Sequence, residues 1–234
     1  KQKWGVIRVT PNHSVYSQEC RAVPAIENPE LLAIRKISYA PRGDSLKLTF
    51  KDAELSKGKV FTKGSYTGIP FEIKGDKLKD FLFFLGAFIS EGCIHYNKAN
   101  QSYIINIANQ DLTFLKEVQD SISRSLGIKS WITGPIKGVY TLQISSKTLY
   151  YYLKEKVGQC SSEKCIPPEV LTLKPEYIDR LWEGLWRGDG CDSWKSFITS
   201  SEKLAIQVCF ILACRGQLFS VKEWKDHKSG TTLY

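Results

Sequence analysis

From residue 76 onward the apolar positions fall at helical spacing. Phe81, Phe84, Leu85 and Phe88 stand at i, i+3, i+4 and i+7, the stripe of a buried helix. "SYIINIA" then predicts a strand, and "DLTFLKEVQDSISRSLG" a capped helix closing on Gly127. Strands follow around "WITG" and "VYTLQIS", and a further helix is predicted from Lys147 to Val157. Residues 1–75 read differently. "WGVIRVTPNHSVYS" is a strand, a Pro-Asn turn and a second strand, and short apolar runs such as "LLAIRKI" and "LKLTF" lie between turn residues, so this part is β-rich and irregular.

Near Glu176 the order of the middle region begins again. Ile178, Leu181, Trp182 and Leu185 repeat the helical stripe, "SFITS" predicts a strand, "EKLAIQVCFILACRG" a helix closing on Gly216, and "LFSVKEW" a strand. An internal repeat of helix, strands, helix, strands is therefore expected, copy one over about 76–158 and copy two over about 168–234. The second copy is shorter and is expected to be cut off before its last strand and helix. The fold class is α+β.

Each copy opens on a related stretch: "FLGAFISEG" at 84–92 and "WEGLWRGDG" at 182–190. In both, glycine stands third, a small residue seventh, an acid eighth and glycine ninth. Gly86 and Ser90 are four apart, as are Gly184 and Gly188, so each helix carries a strip of small residues along one side. Such strips let two helices approach backbone to backbone. A glycine inside a helix otherwise costs about 1 kcal/mol relative to alanine. Facing strips would bring Glu91 and Asp189 to the same pole of the pair. Each carboxylate would then sit at the negative end of its helix and beside the other, and would need a cation. Two carboxylates with nearby backbone carbonyls, here of Ser90 and Gly188, form a hard oxygen set suited to Mg²⁺, with Mn²⁺ as a substitute.

Composition narrows the partner. Of 234 residues, 33 are Lys or Arg against 24 Asp or Glu, giving +9 and a pI near 9.1. That balance favours a polyanion. The longest apolar stretch, Phe81 to Ile89, is about half the ~20 residues a bilayer span requires. Seven scattered cysteines do not form a disulfide framework, so a reducing compartment is expected, cytoplasmic or nuclear. Cys160 and Cys165 lack a second pair at zinc spacing. The chain begins at Lys1 and has no methionine, which reads as an internal segment of a longer polypeptide.

The two acid-ending stretches resemble the paired motifs of the LAGLIDADG homing endonucleases, in the single-chain form that occurs inside inteins. "KCIPPEVL" at 164–171 is similar to the lysine block that precedes the second motif there. The resemblance covers about residues 76–234. It implies a pseudo-two-fold fold of helix, strands, helix, strands, helix per copy with two saddle-shaped sheets. It also implies metal-binding catalytic acids at Glu91 and Asp189, and a basic residue, Lys164, beside the metal. Glu91 departs from the aspartate more common at that position, although glutamate occurs there in functional members. "VTPNHSVYS" resembles a block of the Hint splicing domain, with Thr10 and His13 in the positions that polarise the upstream scissile peptide bond. The nucleophilic first residue and the C-terminal His-Asn block have no counterpart, so this chain alone is not expected to splice.

The function implied is Mg²⁺-dependent hydrolysis of both strands of a long double-stranded DNA target by a monomer, embedded with exteins in a parent precursor. Strand residues expected to face DNA are Tyr96, Lys98, Gln101, Tyr103, Lys129, Trp131, Lys137, Tyr140, Trp194, Lys195, Lys222 and Lys225. Two other readings stay open. One is a DNA-binding or RNA-maturase module of the same fold without turnover; the other is a basic α+β protein with no nucleic-acid role.

Overall fold

A computed structural model describes residues 14–16, 22–24, 41–217, 219–226 and 230–234. Thr10 and His13 lie outside the described residues. The chain divides into two compact units, one of Ala40–Leu204 and one of Lys1–Tyr39 with Ala205–Tyr234. In the latter unit, β1 (Ser14–Tyr16) pairs antiparallel with β2 (Ala22–Pro24).

The larger unit opens with short strands. These are β3 (Ser45–Lys47), β4 (Ala53–Ser56), β5 (Lys59–Thr62), β6 (Ile69–Pro70) and β7 (Glu72–Lys74). β3 pairs with β7, and β4, β5 and β6 form a three-stranded sheet. Then comes the first copy of the repeat: α1 (Asp76–Glu91), β8 (Gly92–Asn97), β9 (Ser102–Asn109), α2 (Leu112–Leu126), β10 (Ser130–Ile136), β11 (Val139–Ser145) and α3 (Lys147–Lys156). This is the order the hydrophobic pattern predicts, with β8 added between α1 and β9. The four strands form one antiparallel sheet, β10-β11-β9-β8.

Local chemistry fixes these boundaries. Asp111 caps α2 by accepting from the backbone N–H of Thr113 and Phe114, and Gly127 ends it in the left-handed region at φ 69°. Ser146 caps α3 through the N–H of Leu149. Along the sheet, Ile94, Ile105, Ile107, Leu142 and Ile144 are buried on one face, because alternate residues of a strand share a face. α1 is buried on every side from Phe81 to Ile89, between the sheet and α2 on one flank and a further helix, α4 (Pro175–Asp189), on the other. A bidentate pair from Arg124 to Asp80 clips α2 to α1. The early strands lean on α3: the amide of Thr62 donates to Thr148 Oγ1, Lys147 Nζ donates to the carbonyl of Lys63, and buried Tyr152 meets Phe50 and Phe81 edge-on.

The second copy departs from the expectation of a second saddle sheet. After α4 come β12 (Gly190–Cys191), β13 (Ser196–Phe197), α5 (Glu202–Cys214), β14 (Trp224–Lys225) and β15 (Thr232–Leu233). Among the described residues β12 pairs only with β13, and β14 only with β15. Of the described residues of "LFSVKEW", only Trp224 is strand. The reason lies in the sequence: β8 and β9 supply three buried isoleucines in alternation, whereas β12 and β13 supply only half-buried Phe197 as a large apolar residue. No helix among the described residues is long and apolar enough to cross a membrane.

Candidate functional site

The two small-residue strips face each other. A Cβ added to Gly86 would collide with the carbonyl oxygen of Leu181 and lie 2.8 Å from the amide nitrogen of Leu185. One on Gly184 would collide with the Phe83 carbonyl and lie 2.9 Å from the amide of Ala87. At Gly188 it would strike Ser90 Oγ and come within 3.0 Å of Glu91 Cγ. Only hydrogen at these positions lets α1 and α4 touch through their backbones. Ser90 Oγ donates to the carbonyl of Gly86 at 3.1 Å, which fixes it against the bare Cα of Gly188.

This seam delivers Glu91 and Asp189 to one pole, as the motif spacing implies. Both are half-buried, and both carboxyl groups are pushed up. Glu91 rises to about 7, through burial first and the nearby Asp189 charge second, with a hydrogen bond from Asn109 opposing the rise. Burial raises Asp189 to about 6 against the pull of Lys164. Lys164 is buried, its ammonium donating to the carbonyl of Phe88 at 3.0 Å and lying 3.6 Å over that ring. Burial pushes its pKa down to about 8. The hydroxyl of Ser201 donates to the Lys164 carbonyl at 2.7 Å and holds the segment in place.

Both carboxyls are raised chiefly by burial, with Asp189 adding to the rise at Glu91 and Lys164 opposing it at Asp189, so a bound cation would favour the ionised form of each. The donor set is two carboxylates. Among the described residues no group of three or more His, Cys, Asp or Glu side chains could hold a metal. Two carboxylates are hard oxygen donors of the kind that suit Mg²⁺ or Mn²⁺ better than zinc.

Sequence reasoning missed two residues at this pole. Asn109 Nδ2 donates to Glu91 Oε1 at 2.9 Å. Arg187, in the last turn of α4, pairs with Glu117 and with Asp111 at 3.6 Å and lies 4.7 Å over the Phe114 ring. The one signal for Asn109 was its place two residues before an Asp that caps a helix.

The candidate DNA-facing residues separate by register. Trp131 lies on the open face of the sheet, 45% exposed, with its indole donating to Gln143 Oε1 at 2.9 Å. Lys98 and Gln101 sit in the β8–β9 turn, Lys129 just before β10, and Lys137 in the β10–β11 turn. Trp194 and Lys195 project from the β12–β13 turn. Lys222 and Lys225 are exposed in the smaller unit. Tyr96, Tyr103 and Tyr140 do not belong with Trp131. They share parity with Ile94, Ile105 and Leu142 on the helix-packed face, where Tyr103 contacts Tyr96, Tyr150 and Tyr151. The open face instead carries Asn106 and Gln143 directly opposite each other, with Cys93 opposite Asn106 and Trp131 opposite Gln143. Sequence reading named neither Asn106 nor Gln143.

Residues 79–158, the first copy of the repeat, match the family model of a LAGLIDADG-like domain. The chain is 31% identical to an uncharacterized protein of Methanocaldococcus jannaschii over 76% of its own length and 21% of that protein's. It is 29% identical to a DNA polymerase of a Thermococcus species over 59% of its length and 8% of the polymerase. It therefore spans only a small part of either relative. Among solved structures, a mesophilic variant of the homing endonuclease I-DmoI aligns at 18% identity and a TM-score of 0.47, covering 68% of this chain and 84% of that one. I-DmoI in complex with DNA and Mn aligns at 18% and 0.46, covering 67% and 88%.

Proposed function

We propose that this chain is a site-specific endonuclease that hydrolyses both strands of double-stranded DNA with a divalent ion, Mg²⁺ or Mn²⁺, between Glu91 and Asp189. The observation that carries the reading is the glycine seam, which brings two acids with raised pKa values to one pole of a basic protein. Residues 76–234 are the nuclease part in this reading. Residues 1–75, with Thr10 and His13, are part of an intein splicing domain inside a longer host protein.

The ion, when bound, supplies the Lewis acidity that lowers the pKa of water and steadies the departing 3′-oxygen. Glu91 and Asp189 provide the negative charge that holds it, with carbonyls of Ser90 and Gly188 nearby. Lys164 keeps its proton at neutral pH, being below its pKa of about 8, and places positive charge where negative charge develops on the phosphate. The open face of the sheet, with Trp131, Gln143 and Asn106, meets base edges, while lysines of the turns meet phosphates.

The test is cleavage of a plasmid carrying the uninterrupted insertion site, with Mg²⁺ and with chelator. Linear product that needs Mg²⁺ and disappears in Glu91→Gln and in Asp189→Asn, while both variants retain DNA, supports the reading. The reduced ladders of the second copy favour one alternative, a DNA- or RNA-binding module without turnover. Salt-sensitive DNA binding with no Mg²⁺-dependent product would establish it in place of the nuclease.

A further inference from the structure

The first turn of α2 is joined by side chains to both helices of the acid pair. Asn109 Oδ1 accepts from the backbone N–H of Asp111 at 2.8 Å, and its Nδ2 donates to Glu91 Oε1. The amide orientation is thereby fixed: the opposite one would set NH₂ against a backbone donor and oxygen against a carboxylate. Asp111 divides its own carboxylate. Oδ1 caps α2 through Thr113 and Phe114, and Oδ2 faces Arg187 at 3.6 Å. Arg187 is held in turn by Glu117 and by the Phe114 ring, and stands two residues before Asp189 on α4.

We propose that Asn109 is a positioning residue for Glu91, and that Asp111 and Arg187 anchor it to the helix that carries Asp189. The direction of one acid is then set from the helix of the other through α2, a tie separate from the glycine seam. Such partners of metal-binding carboxylates restrict them to one rotamer and leave less ordering to be done when the ion arrives. Glu91 Oε1 takes the amide hydrogen bond, and Oε2 is left free of it. The inference rests on the proposed function, since it gives Asn109 a task only if Glu91 binds an ion.

The test uses the full chain and Mn²⁺ as the probe, titrated by electron paramagnetic resonance without DNA, with thermal melting in parallel. Asn109→Ser keeps an oxygen for the Asp111 amide but cannot reach Glu91. Its Mn²⁺ dissociation constant is expected to rise about tenfold with the melt unchanged. Asp111→Ser keeps the helix cap and removes the oxygen facing Arg187. It is expected to weaken Mn²⁺ by a smaller factor. Affinity of Asn109→Ser within about twofold of the wild type overturns the inference alone. A wild-type chain that takes up no Mn²⁺ overturns the proposed function as well. Should Asn109→Ser melt early, Asp111→Ser decides: weakened Mn²⁺ binding supports the tie, and wild-type binding overturns it.

Discussion

Lys164 Nζ lies 3.0 Å from the carbonyl oxygen of Phe88 and 3.6 Å above the ring of the same residue. That carbonyl lies in the last turn of α1 and also accepts from the Gly92 N–H, so the ammonium is a second donor to it and places positive charge at the negative end of the helix that Glu91 terminates. Burial nevertheless lowers its pKa from 10.5 to about 8.

The lowered value gives a signed prediction for Lys164→Met, which keeps the stem and removes the charge. Between pH 8 and 10.5 the unfolded wild type binds more protons than the folded one, so wild-type stability gains on the variant as pH rises through that window. The gain is on the order of 3 kcal/mol. Paired denaturant titrations at pH 7 and pH 10.5 measure it, and parallel curves would show that Lys164 is not held as described. In the proposed nuclease the variant also cuts more slowly with DNA affinity little changed.

Gly86→Ala and Gly184→Ala should each destabilise the fold, although alanine is the better helix former by about 1 kcal/mol. The added carbon would meet the backbone of the opposite helix, and main chain cannot turn aside as a side chain can. Forced separation of α1 and α4 is expected to cost about 3 kcal/mol or more. Chemical denaturation reads this directly; either variant melting at or above the wild type would contradict the seam.

The seam and the acid pair were legible because they rest on identities at fixed helical spacing: glycine at i, a small residue at i+4, an acid next. The first copy was legible for a similar reason, since Ile94, Ile105, Ile107, Leu142 and Ile144 give the strands an unambiguous buried face. What failed to show was register and reach. Tyr103 and Trp131 are both aromatic residues in strands, and only the pairing of β9 with β11 and of β11 with β10 reveals that they face opposite ways. Asn109 and Arg187 matter through partners 18 and 70 positions away, Glu91 and Glu117, and no local pattern encodes those contacts.

The raised carboxyls predict how metal-free stability varies with pH. Glu91 and Asp189 have folded pKa values of about 7 and about 6, above their ordinary 4.5 and 3.8. Each therefore binds its proton more tightly in the folded chain, and that contribution is present below pH 4 and lost as pH rises through 7. The melting temperature of Glu91→Gln/Asp189→Asn should overtake that of the wild type progressively from pH 4 to 7. Adding Mg²⁺ at pH 7 should raise the wild type alone. If the gap does not change with pH, the two carboxyls are not held in the buried setting that raises them.

Trp131→Ala and Tyr103→Ala should separate recognition from stability. Trp131 is 45% exposed on the open face, and its only described hydrogen bond runs to Gln143, so its removal disturbs little of the core. Stacking or groove contacts of such a side chain are worth roughly 1–3 kcal/mol, so DNA affinity is expected to fall about tenfold or more while the melt stays near the wild type. Tyr103 sits among Tyr96, Tyr150 and Tyr151 with Lys147 5.4 Å above its ring. Its truncation opens a cavity between sheet and α3 and should cost about 3 kcal/mol of stability, with DNA affinity nearly preserved in the folded fraction. The reverse pattern, Tyr103→Ala losing DNA at full stability, would place the binding surface on the helix-packed side of the sheet.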